Sequence, residues 1–165
     1  TRGHHVSIDF SLSPELEAIR IRVRAFIDEV VKPTEARITD DALETRDRDA
    51  YLEALLGMRK QAFAAALWLP HMPTEWGGMG LGHVELAMVQ AEAARSYYGP
   101  WVLNCPASDE GNMHTLLHWA TDEQLEKYLK PLCAGTAWSC FAMTEPEVAG
   151  SDPTLIRTNA YQDGE

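Results

Sequence analysis

The pattern of apolar and polar positions predicts helices along most of the chain. In the first helix the apolar side chains recur at steps of three and four residues, which places them on one face. They are Leu16, Ile19, Val23, Phe26, Ile27 and Val30. Ser13 before Pro14 is typical of a helix start, because the serine hydroxyl accepts a backbone N–H and proline has none to satisfy. Pro33 is predicted to end this helix, since the residue before a proline disfavours the α conformation.

Four further helices are predicted, over about residues 45–66, 83–95, 107–119 and from Thr121 onward. The second is expected to bury five apolar side chains: Leu52, Leu55, Leu56, Ala62 and Phe63. The third is expected to bury Val84, Ala87, Met88, Ala91 and Ala94. Thr121 and Gln124 form a capping box before the last helix, which Pro131 is predicted to kink or end. Its apolar face carries Leu125, Tyr128, Leu129 and Leu132.

The segment between the second and third helices is rich in glycine, reading Trp-Gly-Gly-Met-Gly-Leu-Gly from Trp76 to Gly82. Such a density indicates positive φ angles or close chain approach, so a structured turn is predicted rather than a linker. No hydrophobic strand precedes the segment and the GxGxxG spacing is absent, which excludes a dinucleotide-binding loop.

The periodicity changes after Gly135. Residues 136–144 are rich in aromatic and small side chains and predict a buried strand. Asp163-Gly164 is a hairpin-turn signal with no returning strand, which predicts a truncated chain. The predicted fold is therefore mainly α. Residues 1–12 form an N-terminal extension whose first five resemble a cloning remnant, 13–135 an α-helical bundle domain, and 136–165 the beginning of a β domain.

Composition narrows the function. The formal net charge is −11 and the isoelectric point is about 4.9, with no basic run, which argues against nucleic-acid binding. No stretch approaches the roughly 20 apolar residues of a membrane span, and no secretory signal is recognisable. The acidic excess is interpreted as a solvated surface, with steering of a redox partner as the alternative.

Cysteine and tryptophan are interpreted as structural residues. The three cysteines, Cys105, Cys133 and Cys140, are an odd number without a CxxC pair. They are predicted to be buried small hydrophobes in a reducing compartment, which excludes a disulfide framework and a zinc site. The tryptophans are predicted to be core and interface anchors; they are Trp68, Trp76, Trp101, Trp119 and Trp138.

One constellation suggests a metal site. Glu110, His114 and His118 are spaced by four and share a helical face, and two histidines so spaced can chelate zinc or iron. A bundle metal site also takes ligands from a second helix, and no matching Glu-x-x-His motif exists. Solvated histidines are therefore favoured. The alternative function is a non-enzymatic helical bundle used for protein interaction or metal binding.

The most informative segment runs from Phe141 to Asp152 and reads Phe-Ala-Met-Thr-Glu-Pro-Glu-Val-Ala-Gly-Ser-Asp. A strand end, a threonine, a proline turn and Gly-Ser would present backbone groups, a hydroxyl and free amides to one ligand, such as a planar ring on a pyrophosphate. The segment resembles the flavin-binding signature of the acyl-CoA dehydrogenase family. Its loop is one residue longer than the common form, and is similar to the branch reading Met-Thr-Glu-Pro-x-Val-Ala-x-Ser-Asp.

The resemblance extends over nearly the whole chain from Ile8. Four other stretches resemble that family's helical domain: Asp9-Phe10, the turn from Trp76 to Gly80, Thr121-x-x-Gln124, and Lys130-Pro131-Leu132. It implies a FAD-dependent oxidoreductase of fatty acid metabolism. Such an enzyme removes the α proton of an acyl-CoA thioester with a carboxylate base, while the β hydride passes to flavin N5.

Carried onto this sequence, the resemblance gives roles to six residues. The backbone of Phe141, Ala142, Met143 and Thr144 and the Thr144 hydroxyl would hold the flavin ring. Gly150 and Ser151 would approach the diphosphate, and Ser151 would also touch the CoA thioester arm.

The resemblance also implies what lies outside the chain. The catalytic base would follow residue 165, so these 165 residues alone are expected to be inactive, with Glu145 and Asp152 structural. The implied partners are an acyl-CoA substrate, electron-transferring flavoprotein as electron acceptor, and a second copy in a homodimer or homotetramer. The implied compartment is the cytoplasm, or the mitochondrial matrix in a eukaryote.

Overall fold

The backbone is mostly helical in a computed structural model that describes residues 11–45 and 48–164. The helices are α1 Pro14–Phe26, α2 Lys32–Thr45, α3 Arg48–Ala64, α4 His83–Ala93, α5 Gly99–Val102, α6 Ala107–Trp119, α7 Asp122–Gln124 and α8 Lys130–Ala134. The predictions that fall on Thr1–His5, on Asp9-Phe10 and on residues 46–47 lie outside the described residues. The predicted mainly helical fold is confirmed.

The first helix does not end at Pro33. A five-residue π-helical segment, Ile27–Val31, joins α1 directly to α2, and Pro33 lies at the second position of α2. Proline is tolerated in the first turn of a helix, and a π turn shifts the hydrogen-bond pattern just where its N–H is missing. The prediction of a helix end at Pro33 was therefore wrong, whereas the Ser13 cap is confirmed by its hydroxyl, which accepts from the Leu16 N–H at 3.2 Å.

The last helix repeats this arrangement. Thr121 and Gln124 form the predicted capping box, with the Thr121 N–H 2.9 Å from Gln124 Oε1. A second π-helical segment, Leu125–Leu129, then leads into α8, and Pro131 again occupies the second position after it. The helix continues to Ala134 and ends at Gly135, which has a φ of +70°.

The core lies between α1, α3, α4 and the segments around α5 and α6. It includes Val23, Ile27, Met58, Leu69, Val89 and Met113. Two predicted faces were displaced. In α3, Leu56 and Phe63 are exposed, whereas Met58 and Arg59 are buried. In α4 the buried side chains are Leu86, Val89, Glu92 and Ala93, whereas Val84 is 70% exposed. Alanine recurs on both faces of α4, so the apolar pattern does not define which face of this helix is buried.

The glycine-rich turn is built as predicted. Gly77 and Gly80 have φ angles of +81° and +63°, a region that favours glycine. Gly78 is needed for close approach, because a Cβ there would lie 2.0 Å from the Met72 carbonyl oxygen. The Gly80 N–H donates to that same oxygen at 2.9 Å. The turn is therefore folded tightly onto the buried loop before it.

A buried carboxylate joins α1 to α4. Glu92 lies in the α4 face that meets α1 and is 6% exposed. Its Oε1 accepts from Arg20 at 2.9 Å and from Arg24 at 2.6 Å, and its Oε2 accepts from Arg24 at 2.9 Å. The hydrogen bonds from Arg24 and then from Arg20 hold the pKa of Glu92 below its usual value. This stabilisation is present above the ordinary carboxyl pKa and is lost as the pH falls through the lowered value.

Glu92→Gln is expected to destabilise the chain by about 1–2 kcal/mol, because two arginines lose a charged acceptor that is shielded from water. Urea unfolding at pH 7 measures the effect. The matched control is Glu126→Gln, which removes an exposed ion pair with Lys130 and should change stability by less than about 0.5 kcal/mol. Equal effects of the two substitutions would contradict the role given to Glu92.

The predicted strand over residues 136–144 does not form among the described residues. The segment runs in irregular backbone after Gly135, because no neighbouring strand in the described part of the chain offers ladder hydrogen bonds. It also differs from the prediction in burial, since most of it is exposed. None of the described helices has the length and apolar character of a membrane span.

Candidate functional site

The candidate site is the segment from Thr136 to Asp152, which leaves the helical domain after α8. At its start the Thr136 N–H donates to the Pro131 carbonyl at 3.0 Å. The Trp138 ring then lies over the Arg59 guanidinium, 5.4 Å from the ring centroid. The same guanidinium carbon lies 4.8 Å from the centroid of the Trp68 ring. The segment is thus fixed to α3 within four residues of the end of α8.

A second attachment follows at Ser139. Asp109, in the first turn of α6, is fully buried, and its Oδ1 accepts from both the N–H and the hydroxyl of Ser139 at 2.6 Å. Asn112, one turn further along α6, donates to the Ser139 hydroxyl at 2.9 Å. Asp109 Oδ2 is also buried and has no hydrogen-bond partner among the described residues. These contacts hold the segment along α6.

The next residues present their backbone outward. Phe141, Ala142, Met143 and Thr144 are all exposed, and their N–H and C=O groups make no hydrogen bond to the described residues. Gly111 leaves room for the Phe141 ring, since a Cβ there would lie 3.4 Å from Phe141 Cζ. The result is a short row of free donors and acceptors supported from beneath by α6.

The loop after Thr144 returns to this row. A Cβ on Gly150 would lie 3.9 Å from the Thr144 Cα and 4.0 Å from the Met143 carbonyl oxygen. Gly150 therefore lies beside Met143 and Thr144, at the end of the row of four residues predicted to hold the flavin ring. Ser151 follows Gly150 directly and is exposed.

The two carboxylates of the loop are engaged in local structure. Glu145 accepts from the Arg157 N–H at 2.9 Å, the Thr158 N–H at 2.7 Å and the Thr158 hydroxyl. Asp152 caps the short 3₁₀ turn Pro153–Leu155 by accepting from the Thr154 N–H at 3.0 Å. Hydrogen bonds from Thr158 and Thr154, respectively, lower the pKa of Glu145 and of Asp152. A lowered pKa makes both weak proton acceptors.

An apolar groove of about 360 Å³ lies beside the attachment at Ser139. Its walls come from α6, from the second π segment with α8, and from the start of the candidate segment; they include Leu116, Tyr128, Pro131 and Trp138. The sequence gave no signal for this groove, because its residues come from three separate stretches of the chain.

The three residues of the possible metal site, Glu110, His114 and His118, have different surroundings. Glu110 Oε2 accepts from Gln90 at 2.6 Å, the His114 ring lies 5.3 Å from the His71 ring, and His118 is exposed. Over residues 11–45 and 48–164, no group of three or more histidine, cysteine, aspartate or glutamate side chains has the geometry to hold a metal ion.

His71 is a buried polar residue that the sequence analysis missed. It is 5% exposed, and neither ring nitrogen has a hydrogen-bond partner among the described residues. Burial, and to a smaller extent the charge of His114, lowers the pKa of His71 to about 4. The imidazole is therefore held neutral in the folded chain.

The chain is expected to lose up to about 3 kcal/mol of stability between pH 6.5 and pH 4 through His71. The unfolded state takes up a proton near pH 6.5, whereas the folded state resists until about pH 4. Urea unfolding across this range, with His71→Phe, measures the effect; the apolar ring should make the acid slope shallower. His118→Asn, at an exposed position, should leave the slope unchanged. An unchanged slope in His71→Phe would refute the assignment.

The cysteines divide into two groups. Cys105 and Cys133 are buried as predicted, and burial raises the pKa of Cys105 to about 12 and that of Cys133 to about 11. Cys140 is exposed, which corrects the prediction for that residue, because it lies on the segment outside the helical core. The tryptophans divide similarly: Trp68 is buried, whereas Trp119 at the end of α6 is 85% exposed.

Comparison with known proteins identifies the family. The sequence profile described as "Acyl-CoA dehydrogenase, N-terminal domain" matches residues 13–136. The chain therefore belongs to the acyl-CoA dehydrogenase family and contains its N-terminal helical domain. This confirms the resemblance that the sequence motifs indicated.

Individual relatives agree with this. The human protein named "Acyl-CoA dehydrogenase family member 11" is 32% identical over 150 residues, which are 89% of this chain and 19% of that protein. "Probable acyl-CoA dehydrogenase FadE2" of Mycobacterium tuberculosis is 32% identical over 158 residues, 95% of this chain and 38% of that protein. The chain thus spans between about a fifth and two fifths of these relatives.

A solved structure shares the fold. It is described as "Structure of a putative acyl-CoA dehydrogenase from Mycobacterium abscessus", and it superposes with a TM-score of 0.77 at 37% identity. The match covers 88% of this chain and 38% of that chain.

Proposed function

We propose that the chain forms the flavin-contacting part of a FAD-dependent acyl-CoA dehydrogenase. The observation that carries the proposal is the row of unpaired backbone groups from Phe141 to Thr144 with Gly150 beside it. A flavin ring has alternating hydrogen-bond donors and acceptors along one edge, and the free groups of this row fit it. Membership of the acyl-CoA dehydrogenase family also supports a flavin site at this row.

The roles of individual residues follow from this arrangement. The backbone of Phe141, Ala142 and Met143, with the Thr144 hydroxyl, would bind the ring edge. Gly150 lacks a side chain, so its N–H and that of Ser151 are open to a diphosphate, and the Ser151 hydroxyl would reach the thioester arm of the substrate. FAD, when bound, supplies the hydride acceptor, while the protein contributes orientation and electrostatics.

The base that removes the substrate α proton is proposed to come from beyond residue 165. Glu145 and Asp152 are held by backbone donors and have lowered pKa values, so neither is suited to accept a proton near neutral pH. The 165 residues alone are therefore expected to bind substrate groups without turnover. Residues 136–165 are proposed to open the β domain of the complete enzyme.

The remaining proposals rest on family likeness. The substrate is an acyl-CoA thioester, the electron acceptor an electron-transferring flavoprotein, and the assembly a homodimer or homotetramer. The compartment is proposed to be the cytoplasm, or the mitochondrial matrix in a eukaryotic cell.

Thr144→Val tests the flavin site. It keeps the shape of the side chain and removes its hydroxyl, so FAD affinity should fall by about three- to tenfold, as expected for one neutral hydrogen bond. Quenching of flavin fluorescence during titration of the flavin-free intact protein gives the dissociation constant. Thr34→Val, which removes a hydroxyl from α2, is the matched control and should bind as the wild type does. Wild-type protein that takes up no FAD, or equal affinities in both variants, would contradict the proposal.

A further inference from the structure

The attachment of the candidate segment to the helical domain is charged and buried. Asp109 and Arg59 are 0% and 3% exposed and lie on different helices, α6 and α3. They hold consecutive residues of the segment: Arg59 contacts the Trp138 ring, and Asp109 accepts both donors of Ser139. Burying a charged side chain destabilises a protein unless hydrogen bonds compensate. Two buried charged side chains at one attachment therefore indicate that the position of this segment matters, and not only its burial.

The attachment also has a defined direction. Ser139 is bonded through its backbone N–H as well as through its hydroxyl, so Asp109 fixes the position of the main chain itself. Asn112 donates to the same hydroxyl and settles its orientation. Two residues further on, the Phe141 ring rests on Gly111. The row of free backbone groups therefore begins two residues after a main-chain bond to α6.

The geometry points to Asp109 as a positioning residue for the flavin. In this proposal, which rests on the proposed function, the Asp109 carboxylate sets where the backbone from Phe141 to Thr144 stands and so determines how that backbone meets the ring. Asp109 touches neither flavin nor substrate. Its effect passes through Ser139.

The test uses the intact protein freed of flavin, with Asp109→Ala, Asp109→Asn, Ser139→Ala and the control Asp122→Ala. Asp122 is an exposed aspartate in the first turn of α7. Asp109→Ala should weaken FAD binding by about tenfold, the effect of losing charge-assisted hydrogen bonds at a buried acceptor. Asp109→Asn keeps one acceptor oxygen and should recover part of the affinity. The control should bind as the wild type does.

Two further measurements separate positioning from general stability. Hydrogen exchange of the flavin-free protein should show the Ser139 amide losing protection in Asp109→Ala, while the α1 and α4 amides keep theirs. At saturating FAD, the absorption band and reduction potential of the bound flavin should shift in Asp109→Ala and in Ser139→Ala. A residue that only stabilised the fold would lower the thermal midpoint and leave both flavin properties unchanged.

The possible outcomes are distinct. If the wild type binds FAD, and Asp109→Ala binds it equally well with the same spectrum and potential, the positioning role is wrong and the flavin site stands. If the wild type takes up no FAD, the proposed function itself fails. If Asp109→Ala does not fold, Asp109→Asn decides, because it keeps the size of the side chain and removes its charge: a shifted flavin potential supports the proposal, and an unshifted one overturns it.

Discussion

Gly78→Ala is expected to destabilise the chain by about 4 kcal/mol or more, a loss large enough to unfold most of the population. The added methyl would lie 2.0 Å from the Met72 carbonyl oxygen, 2.5 Å from its carbon and 2.7 Å from the Leu69 carbonyl oxygen. These are backbone atoms and cannot rotate away. The two oxygens also accept the Gly80 and Met79 N–H groups, so any shift breaks hydrogen bonds of the turn.

Circular dichroism and urea unfolding measure this effect. Gly57→Ala is the control, because Gly57 lies in α3 with no atom within 4 Å of the position of a Cβ. Alanine is the better helix former, so this second variant should gain about 0.5–1 kcal/mol. If the same glycine-to-alanine change lowers stability at position 78 and raises it at position 57, the loss at position 78 comes from the steric clash and not from the change in backbone flexibility. A folded Gly78→Ala protein of wild-type stability would show that the close approach is wrong.

Arg59→Ala is expected to destabilise the chain by about 3–5 kcal/mol. The guanidinium donates to the Trp101 carbonyl at 2.6 Å and to Asn104 Oδ1 at 2.9 Å. Asn104 in turn donates to the Leu132 carbonyl at 2.9 Å, so the three residues connect α3 to α8 through the buried segment after α5. Removing the guanidinium leaves acceptors unpaired and opens a cavity beside Trp68.

Urea unfolding of Arg59→Ala and Arg59→Lys measures the role of the planar group. Lysine keeps the positive charge but cannot reach both acceptors while also contacting both indole rings, so it should recover less than half of the loss. Lys60→Ala, at the exposed neighbouring position, should stay within about 0.5 kcal/mol of the wild type. Full recovery by lysine would show that charge alone matters at this position.

The elements that sequence could predict are those determined by local chemistry. The Ser13 cap, the capping box at Thr121, the bounds of α6 and the glycine-rich turn each depend on residues within a few positions of one another, and all were confirmed. The signature from Phe141 to Asp152 is also local, and its residues indicate the family to which the chain belongs. At the site, the sequence therefore predicts which residues take part but not the contacts that hold them.

The features that sequence missed depend on distant partners. Arg59 falls on a helix with exposed polar neighbours, and only the approach of Trp68 and Trp138 makes it a buried residue. The strand over residues 136–144 needs a neighbouring strand, which the described residues do not offer. Asp109 looked like an acidic residue of a helix first turn; its contact with Ser139 spans thirty positions and has no local signal.

The two π segments carry the helical backbone past Pro33 and Pro131, and they have a wider consequence. Each widened turn adds a residue to an otherwise regular spiral, which turns everything after it by about 100°. Val31, at the end of the first π segment, and Ile38, in α2, are both buried. A relative that lacks one residue between Ile27 and Val31 would have a regular α-helix here that follows the same course. A one-residue gap at this place in a family alignment would therefore indicate the loss of the π segment and not a different fold.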